Sequence, residues 1–385
     1  MIQKRQHQPK NRCVMRLNTH ARSLFLPALA AAALAACSDD SAAPTDKFTG
    51  PTGFTLLNAS NPIDITPDGQ TVVVEDLIGS FDNGIFFYNV STGAYTYKTS
   101  PGSPFMNFAT GVSGDLKVSA IYNEPAVTGV WSESTNWVTI PSTFDGGCDA
   151  NVGGAWDISH DGHTMVGFDW NGCSTHAMRF SEAGGAWTAQ QLELIGAQFP
   201  DSPNPPSNRA TVVSGNGLVA AGWAQTDIVD RSPAVWQADG SGSFLTSGVS
   251  SDTPGEVLAI NEDGTIMAGT WGGQGFIWSN GSANFIESLP SNDEFANTFA
   301  NAIAANGQLV FGGSGNQAFV WTASAGTRKL QDIATAAGIE IPQGVVLTTV
   351  KAASADGTIV IGQAINATHR AYSFVLKLPA SAYGL

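Results

Sequence analysis

The chain is short of positive charge. Its 385 residues hold 17 Lys and Arg against 32 Asp and Glu, a net charge of −15. Six of the basic residues, Lys4 to Arg22, precede the first acidic one, so the remainder carries 11 basic against 32 acidic side chains. Such a surface cannot neutralise a phosphate backbone, which excludes nucleic acid as a partner. It suits an exported, soluble surface. Cysteine is scarce as well. Of the four, Cys13, Cys37, Cys148 and Cys173, no set supplies the four ligands of a structural zinc. No apolar run reaches the roughly 20 residues of a membrane-spanning helix. The chain has no P-loop, no dinucleotide fingerprint, no His-Glu-x-x-His and no Gly-x-Ser-x-Gly elbow. Val213-Ser-Gly-Asn-Gly217 is the nearest string to that elbow, and it lacks the leading Gly. Nothing here implies a cofactor or a metal, and the balance leans away from an enzyme.

The N-terminus reads as an export signal. A basic stretch precedes an apolar run from Leu24 to Ala36, and the run ends Leu34-Ala-Ala-Cys37. A charged region, a short apolar region and small residues before the cut are the parts of a signal peptide. Small residues before a Cys resemble the bacterial lipobox, in which Cys37 is lipidated. Residues 1–36 are thus expected to be removed and 37–53 to form a polar tether. Met15-Arg16 alone would open an ordinary signal peptide, which would make 1–14 an extension ahead of the natural start. In lipoproteins of this type, Ser38 after the Cys favours the outer membrane, facing periplasm or cell surface.

What fills residues 54–385 is a repeat. A short apolar run, a turn ending in Gly and a second apolar run recur seven times, most clearly as Ile158-Ser-His-Asp-Gly162, Ile260-Asn-Glu-Asp-Gly264 and Ala353-Ser-Ala-Asp-Gly357. Looser copies centre on Gly69, Gly114, Gly217 and Gly307. After each pair comes an apolar segment usually ending in an aromatic: Trp131, Phe180, Trp236, Trp278, Trp321 and Phe374. A fourth segment often follows. The runs are short, rich in β-branched and aromatic residues, and separated by Gly, Asn, Asp and Ser, which is strand chemistry. Asp-Gly makes a tight hairpin because Gly takes positive φ without steric cost. Four antiparallel strands per repeat of this length make a propeller blade. The expected fold is all-β: a single β-propeller of seven four-stranded blades. The last unit stops after three strands, and a spare strand, Phe54-Thr-Leu-Leu57, precedes the first. Pairing these ends would close the ring and leave no open edge.

The phrase Ser-x-Asp-Gly-x-x-Val-x-Gly, followed by strands such as Thr175-His-Ala-Met-Arg-Phe180 and Gln317-Ala-Phe-Val-Trp321, resembles the extracellular HAF repeat. The tail from Lys329 to Ile339, with Ser354 to Gly362 and Ala371-Tyr372, is similar to the C-terminal unit of such proteins. The resemblance implies an exported bacterial propeller and carries no activity. Units one and two depart from it, with Gly114-Asp115 standing where Asp-Gly is expected.

Candidate sites are few. Asp68, Asp161, Asp263 and Asp356 recur at one turn position and read as turn residues bonding amides two places on. His160, His163 and His176 would need to converge with a further ligand to hold zinc. Asp169, Asp227 and Asp230 are nominal carboxylates for glycoside hydrolysis, which leaves no local motif when its acids come from different blades. Trp170, Trp223 and Trp271 follow the second-strand Gly in three successive units. They suggest a flat platform on the ligand face, whereas the third-strand Trp set reads as packing between blades. Cys148 and Cys173, an isolated pair in an oxidising compartment, read as a disulfide. The expected function is a lipid-anchored binding or scaffold module for an envelope protein or glycan. The alternatives are a glycan-active hydrolase or lyase with carboxylates near the axis, and a purely structural envelope component.

Overall fold

The computed structural model describes residues 53–77, 85–98, 107–122, 127–144, 146–147, 153–196, 205–226, 231–246, 253–292 and 296–385. Seven four-stranded antiparallel sheets form a ring. Blades one to six occupy 59–98, 107–140, 154–191, 208–244, 255–285 and 298–329. The seventh is built from Val346–Ala353, Ile359–Ile365 and Ala371–Lys377, and its outer strand is Phe54–Leu57 from the other end of the domain. Phe54 pairs with Leu376 and Leu57 with Ser373, antiparallel, so the expected closure is present.

Among the described residues there is no single core. The buried apolar side chains fall into seven clusters, and each joins two neighbouring blades. The third-strand aromatics do much of this joining. Trp131 of blade two lies 5.3 Å from Phe87 of blade one, and Trp236 of blade four packs with Val166 and Ala177 of blade three. Trp278 and Trp321 join the corresponding clusters but are only half-buried. Two short helices interrupt the all-β pattern. Leu330–Ala336 is α-helical and buries Leu330, Ile333 and Ala334 between blades six and seven. Ala380–Tyr383 forms a 3-10 turn that seats Tyr383 against Phe311.

The hairpin joining the first two strands is alike in every blade. In six of them a Gly sits at φ between 69° and 77°. The Asp or Asn ahead of it accepts the amide two residues on, as at Asp68 with Gln70, Asn216 with Leu218 and Asp356 with Thr358. Blade two corrects the sequence reading. Its turn does not centre on Gly114, because the left-handed position falls on Leu116, at φ 65°. Ser113 and Asp115 take the Ser and Asp roles, so the repeat phrase there is shifted by two residues.

Every innermost strand also carries a β-bulge. The register slips between Pro62 and Asp64, Ala109 and Gly111, Ala155 and Asp157, Ala210 and Val212, Val257 and Ala259, Ala300 and Ala302, and Val350 and Ala352. A bulge leaves one residue without a partner and bends the strand. The second Gly of the repeat phrase serves this bend. A Cβ on Gly167, Gly269 or Gly362 would run into the carbonyl of Gly154, Glu256 or Thr349 on the innermost strand.

Candidate functional site: the axial channel

The residue skipped by each bulge is always the sixth before the left-handed turn residue. Around the ring these are Ile63, Thr110, Trp156, Thr211, Leu258, Asn301 and Lys351, and all seven line one cavity of about 370 Å³ on the axis. That volume lies in the range of small-molecule sites, about 300–1,000 Å³. The scaffold repeats but this ring does not: it mixes aliphatic, hydroxyl, indole, amide and ammonium groups.

Two carboxylates stand beside the ring, Asp64 in blade one and Asp157 in blade three. Both are already engaged by the backbone. Asp64 accepts the amides of Ile65 and Val112, each at 2.8 Å, tying blade one to blade two. Asp157 accepts those of Ile158 and Val213, each at 2.8 Å, tying blade three to blade four. Burial away from water raises Asp64 to about 6 in spite of these bonds. Burial, together with the nearby Asp64 charge, raises Asp157 to about 8. Lys351 has no such partner. Among the described residues no carboxylate lies within ion-pair distance of it and no hydrogen bond reaches its ammonium. Its accessible surface opens on the channel, and desolvation there holds its pKa below the usual lysine range.

The two ends of the channel differ. At the hairpin end, backbone amides link successive turns, such as His160 N to Gly215 O at 3.0 Å and Ala305 N to Ala355 O at 2.8 Å. His160 Nδ1 also meets Glu262 Oε2 at 2.6 Å, joining blades three and five over Gly215. A side chain at Gly215 would collide with both partners. Higher on the innermost strands a network surrounds Trp156. The Arg209 guanidinium carbon lies 4.0 Å from the Trp156 ring centroid. Arg209 and Thr211 both donate to Glu256 Oε1 at 2.5 Å. Trp156 is therefore held by a charged layer from blades four and five, in a cation–π arrangement.

The sequence candidates fare unevenly. The platform of Trp170, Trp223 and Trp271 is not formed. Trp223 is 8% exposed, with Arg231 over its ring at 4.9 Å, and Trp271 is 4% exposed and donates to Thr253 O at 2.9 Å. Only Trp170 is half-exposed. Two of the three are as buried as the packing set: Arg209 and Arg231 lie over Trp223, and Phe276 packs on Trp271 within a cluster that includes Ala221 and Val235 of blade four. The histidines diverge. His160 pairs with Glu262, His163 pairs with Glu182, and His176 is buried against Phe144. Among the described residues no group of three or more His, Cys, Asp or Glu side chains converges on a metal position. Asp169 is buried and accepts the amide of Trp170. Asp227, Asp230 and Cys148 lie outside the described residues, as do Cys37 and the expected signal and tether.

The axial ring carries no sequence motif. Its signal is positional: one column, six residues before each turn Gly, becomes readable once blade two is shifted to Leu116.

No family model matches the chain, and no curated protein does. Solved structures do match. An oligogalacturonate lyase in complex with manganese is 13% identical, with a TM-score of 0.55 over 88% of this chain and 97% of that one. A catalytically inactive virginiamycin B lyase from Staphylococcus aureus with quinupristin is 12% identical, with a TM-score of 0.53 over 85% and 99%. A streptogramin B lyase is 13% identical, with a TM-score of 0.51 over 84% and 98%. At such identities the likeness is one of fold, and the chain is a seven-bladed β-propeller.

Proposed function

We propose that this propeller is an exported lipoprotein, held at the outer membrane through Cys37, and that it binds an envelope ligand, a glycan or the end of a protein chain, in the axial channel. One observation carries the binding reading: seven structurally equivalent bulges present seven chemically different side chains to one cavity. A ring serving only to fill the axis would be expected to repeat one small residue, whereas a recognition surface differs from position to position on a constant scaffold. Export and anchoring rest on the lipobox-like Leu34-Ala-Ala-Cys37 and on the polar stretch that follows it. Among the described residues no helix is long and apolar enough to cross a membrane. The repeat phrase supports a HAF-type propeller.

The enzyme reading has Asp64 and Asp157 near the axis, and the lyases of similar fold keep it in view. Against it, each carboxylate has both oxygens bonded to backbone amides, one of them in the next blade, which gives each a structural task.

Two experiments test the proposal. Metabolic labelling with a fatty acid should mark the wild type and not Cys37→Ala; equal labelling overturns the anchor. Envelope glycans and peptidoglycan fragments should raise the melting temperature of the wild type and not of Trp156→Ala. Depolymerisation of any of them, abolished by Asp157→Asn, would replace binding with catalysis.

A further inference from the structure

Lys351 is the one member of the axial ring that the fold does not explain. At the same position the other six blades carry Ile63, Thr110, Trp156, Thr211, Leu258 and Asn301, so the bulge does not demand a charge. A core position would favour an apolar side chain, since an ammonium removed from water without a partner costs stability. Lysines at a surface commonly avoid that cost by reaching bulk water. Lys351 is itself exposed, but it stands in the lining of the axial cavity, where partial desolvation lowers its pKa. Among the described residues it has neither carboxylate nor hydrogen-bond partner. Asn301, at the same position in the preceding blade, is spent on Thr349 Oγ1 and Val350 O. Those bonds use its Nδ2 and anchor the strand on which Lys351 stands, and no hydrogen bond joins its Oδ1 to the ammonium.

Resting on the channel reading above, we infer that Lys351 receives the anionic group of the ligand, and that the ligand is a small monocarboxylate with an apolar or ring-shaped body. A single negative charge matches a single ammonium. A second would approach the carboxyl groups of Asp64 and Asp157, which line the same cavity. The body of the ligand has Trp156, Ile63 and Leu258 to lie against. An ammonium meeting a carboxylate makes a charge-assisted hydrogen bond, the strong kind.

The test uses the full propeller with glucuronate and benzoate as acidic probes, and glucose and benzyl alcohol as their uncharged counterparts. Titration calorimetry should find the acids binding and their counterparts weaker. Lys351→Met should weaken the acids by about tenfold to a hundredfold, the loss of one charge-assisted bond, and Lys351→Arg should retain most of the affinity. A merely structural lysine predicts a destabilised Lys351→Met, whereas a ligand-directed one predicts a melting temperature equal to or above that of the wild type. Lys351→Gln provides the same comparison if the Met variant does not fold. Failure of both acids to bind, or unchanged affinity in Lys351→Met, overturns the inference. If glucose and benzyl alcohol bind as well as the acids and only Trp156→Ala abolishes them, the channel is the site and the anion assignment is wrong. If neither variant alters binding, the channel reading itself fails.

Discussion

Removing the closing strand, Phe54–Leu57, should unfold the whole ring rather than fray one end. Phe54, Leu56 and Leu57 are 1%, 6% and 1% exposed. At about 1.5–3 kcal/mol for each buried side chain, their removal costs about 5–9 kcal/mol, an upper estimate because the unfolded chain is itself partly collapsed. A domain's total stability is about 5–15 kcal/mol, so most or all of it is at stake. The deletion also strips the ladder from Ala371–Lys377 and leaves an open edge. Because the seven apolar clusters are interfaces and not a common core, loss at the seam removes support from blades seven and one together, and then from their neighbours. Calorimetry should show the main transition itself moving down or vanishing, with self-association through the new edge. Phe54→Ala, whose ring stacks on Phe374 at 6.1 Å, should cost about 3–5 kcal/mol by the same route. An unchanged main transition beside the loss of a small, separate one would refute the closed-ring account.

Other expectations follow from single positions. Leu116 is 39% exposed and left-handed. Leu116→Gly should relieve about 1–2 kcal/mol of backbone strain against about 0.5–1 kcal/mol of added chain entropy. The net gain, a fraction of a kcal/mol to about 1, would appear as a higher urea midpoint; a lower midpoint contradicts the shifted turn. Asp64 and Asp157 hold their protons more tightly in the fold than in the unfolded chain, at about 6 and about 8 against an ordinary 3.8. Their contribution is therefore fully present below the ordinary value and is lost as pH rises through about 6 and then about 8. The melting temperature should fall across that window, less steeply in Asp157→Asn, and identical slopes would dismiss the assignment. Gly146–Gly147 runs parallel to Asn171–Gly172, which brings the chain ahead of Cys148 beside the chain ahead of Cys173. A Cys148–Cys173 bridge closing a loop of about 26 residues would contribute about 3 kcal/mol. Thiol titration without reductant should find neither residue reactive, and reaction at both would rule the bridge out.

The blade count, the strand order and the seam were legible in the sequence because they depend on local patterning: strand runs, turn residues and a spare strand at one end. Which aromatic faces what was not. Trp131 and Trp236 are buried as their third-strand position suggests, but Trp278 and Trp321 are only half-buried. Trp223 and Trp271, placed at a loop by sequence spacing, are covered by Arg231 and Phe276. Arg231 stands eight residues from Trp223 and Phe276 five from Trp271, so exposure depends on how loop and strand fold back on the ring, which spacing alone does not give. The channel was hidden for a different reason. A bulge has no fixed residue signature, and Ile63, Trp156 and Lys351 share a place in space without sharing any chemistry.

The hairpin turns at the narrow end are strung together by six backbone bonds running one way round: blade two to three, three to four, four to five, five to six, six to seven, and from Ala355 N to Pro67 O, seven to one. The seventh, from blade one to two, cannot form, because its donor would be Pro67, which has no N–H. The structure is thus a hoop with one joint. Strain imposed on the ring along its axis meets six turns joined by backbone bonds and one junction bridged by side chains, Asp64 reaching to Val112 and Glu75 to Ala109. If the propeller ever yields without unfolding, it should yield between blades one and two, where carboxylates and not backbone carbonyls receive the amides of the next blade.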